Sequence, residues 1–166
     1  MTHRTPSSVA LDIARGAIAG LVATWLMDQV TTGMEAHTSA ADKRRAAAAM
    51  PDGRTAVENL LVKLERISGI TLDDDQRPVA LTAIHYGLGV VPAAIYGGLG
   101  RVPIVGAGRG LLFGLVAWAV NDELLSSALG LAGTPGEYPL ATHLRGLVGH
   151  AVLGSTTDTV IAALGG

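Results

Sequence analysis

Arg15-Gly16-Ala17-Ile18-Ala19-Gly20-Leu21-Val22-Ala23, running on to Asp28, returns later as Arg109-Gly110-Leu111-Leu112-Phe113-Gly114-Leu115-Val116-Ala117, running on to Asp122. Aligned without a gap, the two 14-residue windows share 7 positions: Arg, two Gly, Leu, Val, Ala and the closing Asp. Twelve uncharged residues separate Arg from Asp in each. On a helix rising ~1.5 Å per residue, the two charges lie ~20 Å apart. Each window reads as the first helix of a transmembrane hairpin.

Composition agrees. Of 166 residues, 49% are hydrophobic and 16% charged, against about 25% charged in an ordinary soluble domain. The mean hydropathy is +0.40. The 22 glycines suit membrane helices, where small residues allow close backbone approach. A soluble all-helical protein is the alternative, because three of the four apolar segments hold internal charges. With no cysteine, disulfides, thiolate metal sites and cysteine nucleophiles are excluded. A net charge of -2 gives no nucleic-acid footprint. The apolar run after Arg15 ends at Met27-Asp28 without a small-residue cleavage site, so it does not read as a signal peptide.

Four membrane helices are expected, at about 9–32, 78–100, 104–131 and 141–164. The clearest is the second: from Pro78 to Gly100 there is no Asp, Glu, Lys or Arg, and Pro92 should kink it or free a carbonyl. Residues 33–77 form the long polar loop. Within it, Thr55-Ala56-Val57-Glu58 is a capping box, and Val57, Leu60, Leu61, Leu64 and Ile67 recur at helical spacing up to Gly69. An amphipathic helix over 55–68 follows, lying on the membrane surface or capping the bundle. An Ala-rich helix is expected near 39–50. Asp73-Asp74-Asp75 lacks the spaced oxygen ligands of a calcium loop and reads as an acidic helix start.

The duplication extends to the second helix of each half, where His85-x-x-Leu88-Gly89 aligns with His150-x-x-Leu153-Gly154. Two hairpins in the same order have parallel topology, related by a pseudo-two-fold axis along the membrane normal. The expected fold is therefore one all-α integral membrane domain spanning 1–166, a four-helix bundle of two such hairpins with an amphipathic helix in the first loop. Short-segment basic residues (Arg4, Arg15, Arg101 and Arg109) put both termini on the cytoplasmic side.

Hairpin geometry brings Asp28, His85, Asp122 and His150 to one depth near the first and third loops, with Glu123 beside them. Ionised groups in lipid cost at least ~2.5 kcal/mol, so they face the interior and find partners. Two imidazoles and two or three carboxylates can bind a divalent metal ion or pass protons. Alternatively they hydrogen-bond across helices and only fix register. Tyr96, His143 and Asp158 are secondary candidates. His143 shares a face with His150, and Asp158 reads first as making capping contacts or a bond to Thr156, Thr157 or Thr159. Trp25 and Trp118 read as packing or interfacial residues, and His3 and His37 carry no signal. No nucleophile motif, phosphate loop or nucleotide fingerprint is present. Nothing here decides whether the chain is an enzyme.

His85 followed by Tyr96, a third helix bearing Gly110 and Gly114, the Gly130-Leu131-Ala132-Gly133-Thr134-Pro135 stretch and the final Gly149-His150 resemble the YagU-like family of bacterial inner-membrane proteins. The likeness covers roughly 80–165 and, loosely, helix one. The long charged first loop and Asp122-Glu123 depart from it. The resemblance implies an integral protein of the bacterial cytoplasmic membrane and no particular reaction.

Three functions follow as expectations. The first is an intramembrane His/Asp site for a metal ion or proton transfer. The second is a non-catalytic interaction protein or scaffold that uses the amphipathic helix. The third is a membrane enzyme acting on a lipid-like substrate. The partner common to all is the lipid bilayer, and the thin four-helix wall leaves room for a homodimer.

Overall fold

In the computed structural model, residues 6–99 and 107–166 are described, all helix, turn and loop with no strand among them. Six helices follow in order: α1 Pro6–Ala36, α2 Ala40–Ala48, α3 Ala56–Ser68, α4 Gln76–Gly98, α5 Leu111–Ala128 and α6 Leu140–Ala163.

Local chemistry sets the boundaries. Ser39 caps α2 by accepting from Asp42 N–H at 3.1 Å. Thr55 and Glu58 form the expected reciprocal box at the start of α3, and Gly69 ends that helix at φ 72°, a conformation that costs glycine little. The acidic run acts as a helix start: Asp73 Oδ1 accepts from Asp75 N–H at 3.1 Å and Gln76 N–H at 2.8 Å. Two expected bounds are corrected. Helix one begins at Pro6 and runs to Ala36. Helix three cannot begin near 104, because Gly108, Arg109 and Gly110 all have positive φ and a helix starts only after them; the expected residues 104–106 lie outside the described part of the chain.

α1 packs along α4 on one side and α6 on the other, and α6 packs along α5. These contacts are made by the smallest residues. A Cβ added to Gly16 would fall 2.3 Å from the Ala93 carbonyl oxygen, and one added to Gly20 would fall 2.8 Å from Val90 Cα. At the α5–α6 contact, a Cβ on Gly114 would lie 2.0 Å from the His150 carbonyl oxygen. Ala19, Ala23 and Ala93 are fully buried, whereas Leu21, Trp25, Val91, Ile95 and Leu124 are about half exposed. Small residues at the closest helix contacts and many large apolar residues facing outward match helices packed in lipid, around a core that also buries Tyr96, Phe113, Leu153 and Ile161.

Three helices, Ser8–Ala36, Gln76–Gly98 and Leu111–Ala128, are long and apolar enough to cross a membrane. The expected fourth span, α6, is not among them. Its length suffices, but it carries His143, Arg145, His150 and Asp158. Packed against α1 and α5, it turns His150 and Thr157 into the protein.

The helix pairing departs from strict two-fold symmetry. Such symmetry would make α4–α5 match α1–α6. Instead α1 and α6 pack along each other, with Gly149 against Met27 and Thr31, while α4 and α5 flank a cavity and meet where Tyr96 stacks on Phe113 at 4.7 Å.

Candidate functional site: a cavity among five helices

The cavity holds about 270 Å³ and is lined by α1, α3, α4, α5 and α6. α4 passes through Pro92 without ending. Proline has no N–H, so the Leu88 carbonyl loses its usual i+4 donor, and both residues face the cavity. α3 closes one side with Ala56, Val57 and Leu60. It is fastened there by Asn59 Nδ2 donating to Leu131 O at 2.9 Å and Lys63 Nζ donating to Leu129 O at 2.6 Å. Glu65 ties α3 to α4 by accepting from Arg77 at 2.8 and 3.0 Å. The amphipathic helix therefore caps the bundle, although Leu64 and Ile67 on it stay exposed. The Leu72 backbone N–H and then Arg77 hold the Glu65 carboxyl below its ordinary value. The Thr55 backbone N–H and hydroxyl do the same for Glu58.

Asp28 and His85, from α1 and α4, meet at 2.8 Å between Oδ1 and Nε2. Asp122 and His150, from α5 and α6, are 3.6 Å apart. His150 Nδ1 also donates to Gly146 O at 3.0 Å. His85, His150 and Asp122 all line the cavity, so the two imidazoles share one interior space. Because a carboxylate or carbonyl accepts from one nitrogen of each ring, the other nitrogen is left as a base.

The remaining candidates separate from this group. Glu123 pairs with His143 Nδ1 at 2.6 Å, and His143 Nε2 lies 3.0 Å from Pro135 O. Both nitrogens thus face acceptor oxygens. The pair lines a second cavity of about 260 Å³, which shares Asp122, Ala56 and Ser126 with the first. Tyr96 donates to Asp158 at 2.8 Å, so the expectation that Asp158 bonds mainly to its threonine neighbours is replaced by a cross-helix bond. Trp118 is half-buried against the second cavity, and its indole N–H has no partner among the described residues. Trp25 is 55% exposed.

The divalent-metal expectation does not fit. Among the described residues no three His, Asp or Glu side chains stand close enough together to hold an ion. The acids and imidazoles are distributed as pairs, so no group supplies the three or four protein ligands of a typical site.

Three features were not read from the sequence. Ala119–Leu125 of α5 is a π-helical segment, a widened turn often found at functional sites; it carries Asn121, Asp122 and Glu123. Asn121 lines the cavity, and its side chain has no hydrogen-bond partner among the described residues. Thr24 also contributes to its wall, 2% exposed, with its hydroxyl buried against Gly89 and unpartnered among the described residues. By contrast Thr31, Thr38, Thr82 and Thr159 each donate to the carbonyl four residues back. The polar run Asn121-Asp122-Glu123 in an apolar helix was a signal for Asn121; nothing marked Thr24. No family model, curated protein or solved structure matches the chain.

Proposed function

We propose that the chain is a polytopic protein of the bacterial cytoplasmic membrane that transfers protons through the cavity between α4 and α5. One observation carries the reading: His85, which is paired with Asp28, and the His150–Asp122 pair line one cavity between the apolar helices. Imidazole changes charge near neutral pH, and a neighbouring carboxylate stabilises the imidazolium formed when the ring takes a proton. Glu123 and His143 extend the chain of titratable groups towards the third loop, through the second cavity that shares Asp122. Both termini are proposed to be cytoplasmic, the two hairpins to descend from one, and the YagU-like resemblance to reflect common ancestry.

The test is proton flux into proteoliposomes with an entrapped pH dye. Asp28→Asn and Asp122→Asn keep side-chain volume while removing the charge that supports each imidazolium. Each is expected to lower the flux at least tenfold, in the range typical of a lost proton-transfer group. Equal flux in wild type, both variants and empty vesicles would remove the reading.

A second reading is favoured by the outer face of α3, where Ile67 is 77% and Ile70, just past the helix, 61% exposed. On this reading the helix lies against the lipid surface as an interaction element. Deleting residues 38–70 would then abolish function, and His85→Ala with His150→Ala would leave it intact.

A further inference from the structure

We propose that the cavity binds a phenol-type ring, hydroxyl inward, and that its hydroxyl proton is the one exchanged with the histidines; this rests on the proton-transfer reading above. The size of the space comes first. A cavity of about 150 Å³ takes up benzene, so about 270 Å³ admits one substituted ring. Its walls are mostly aliphatic, including Leu88, Leu125, Leu129 and Leu153, which suits a ring and not a highly charged solute.

Polar groups are few and unspent. The Asn121 carboxamide has no partner among the described residues and offers both a donor and an acceptor. His150 uses Nδ1 on Gly146 O and His85 uses Nε2 on Asp28, leaving one basic nitrogen on each ring. The set matches a ligand bearing a hydroxyl, which donates to an imidazole nitrogen and accepts from the Asn121 amide. A phenolic hydroxyl ionises near pH 10, far closer to imidazole than an alkanol does. The step is a simple exchange: the phenol O–H bond breaks, an imidazole N–H bond forms, and phenolate faces imidazolium. No electron leaves the ring.

The experiment compares 4-(trifluoromethyl)phenol with trifluoromethylbenzene by ¹⁹F NMR titration of purified protein in micelles. Wild type is expected to bind the phenol at least tenfold more tightly than the hydroxyl-free ring, after correction for partition into empty micelles. Asn121→Leu, similar in shape, should reduce that preference at least fivefold, and Ala117→Phe should abolish binding of both rings by filling the cavity. Equal affinity for the two probes, an undiminished preference in Asn121→Leu, or full binding by correctly folded Ala117→Phe would each overturn the proposal. Proton flux in proteoliposomes without phenol preference would remove this ligand and leave the proton reading. Phenol preference without flux would do the reverse, leaving a ring-binding site and no transfer.

Discussion

Gly114 limits how near α5 and α6 can approach, and so where Asp122 meets His150. A methyl group there would sit 2.0 Å from the His150 carbonyl oxygen and 3.1 Å from Gly154 N. Both are backbone atoms, and neither can swing aside. Gly114→Ala is therefore expected to force the helices apart, at a cost of about 1–3 kcal/mol for overpacking. A Cβ on Gly87 of α4 would meet nothing within 4 Å among the described residues, so Gly87→Ala should stabilise by up to about 1 kcal/mol through helix propensity alone. Thermal unfolding in detergent should give shifts of opposite sign for the two variants. Repetition of Gly16, Gly20, Gly110 and Gly114 made close helix contact legible in the sequence. Their partners were not, because any small residue on an opposing helix meets the same requirement.

Register is decided at the scale of the element, and there the two hairpins differ. Gly20 lies over Val90 and Ala93, but its counterpart Gly114 lies over His150 and Gly154, about one turn away from the equivalent place. Asp122 is consequently level with Gly146, whose added Cβ would fall 3.1 Å from Asp122 Oδ2. It reaches His150 at 3.6 Å, where Asp28 reaches His85 at 2.8 Å. The matching spacing of Asp28 to His85 and of Asp122 to His150 was legible in the sequence, since helix periodicity and connection length set depth. It could not show the slip or the π-helical Ala119–Leu125, which depend on packing and leave no local mark. α3 is the opposite case: Thr55, Glu58 and Gly69 signal its ends within the chain itself. Glu58 is held below its ordinary 4.5, so it supports the helix above pH 4.5 and that support is lost as pH falls through its folded value. Protection of the first α3 amides, corrected for intrinsic exchange, should fall in that acid range. Thr55→Ala should cost about 1 kcal/mol and largely remove the pH dependence.

The whole molecule brings alanine and glycine to its closest helix contacts and leaves many leucine, isoleucine and valine side chains on its outside, around a core that also buries Tyr96, Phe113, Leu153 and Ile161. In water, exposed apolar area on this scale would drive association. In a bilayer it is the ordinary outer surface of a helical bundle, while backbone polar groups are satisfied inside each helix. The same distribution explains why α6 can be less apolar than the other three long helices: its polar side chains are met by protein, as in Asp158 with Tyr96 and His143 with Glu123. α1 spans 31 residues, roughly 46 Å, against a hydrocarbon core of about 30 Å. In a bilayer it would tilt or project, and projection suits the Arg145–Glu35 ion pair near its C-terminal end. Leu21 lies near the middle of α1 and is 49% exposed. In a soluble globule, Leu21→Lys would leave the fold untouched or improve solubility. In a lipid-facing helix it adds an insertion cost of about 2.5–3.5 kcal/mol. The expected result is loss of the variant from the carbonate-resistant membrane fraction, with Gln29→Lys near the helix end retained. Equal recovery of both variants in the aqueous fraction, together with the wild type, would count decisively against a bilayer around this bundle.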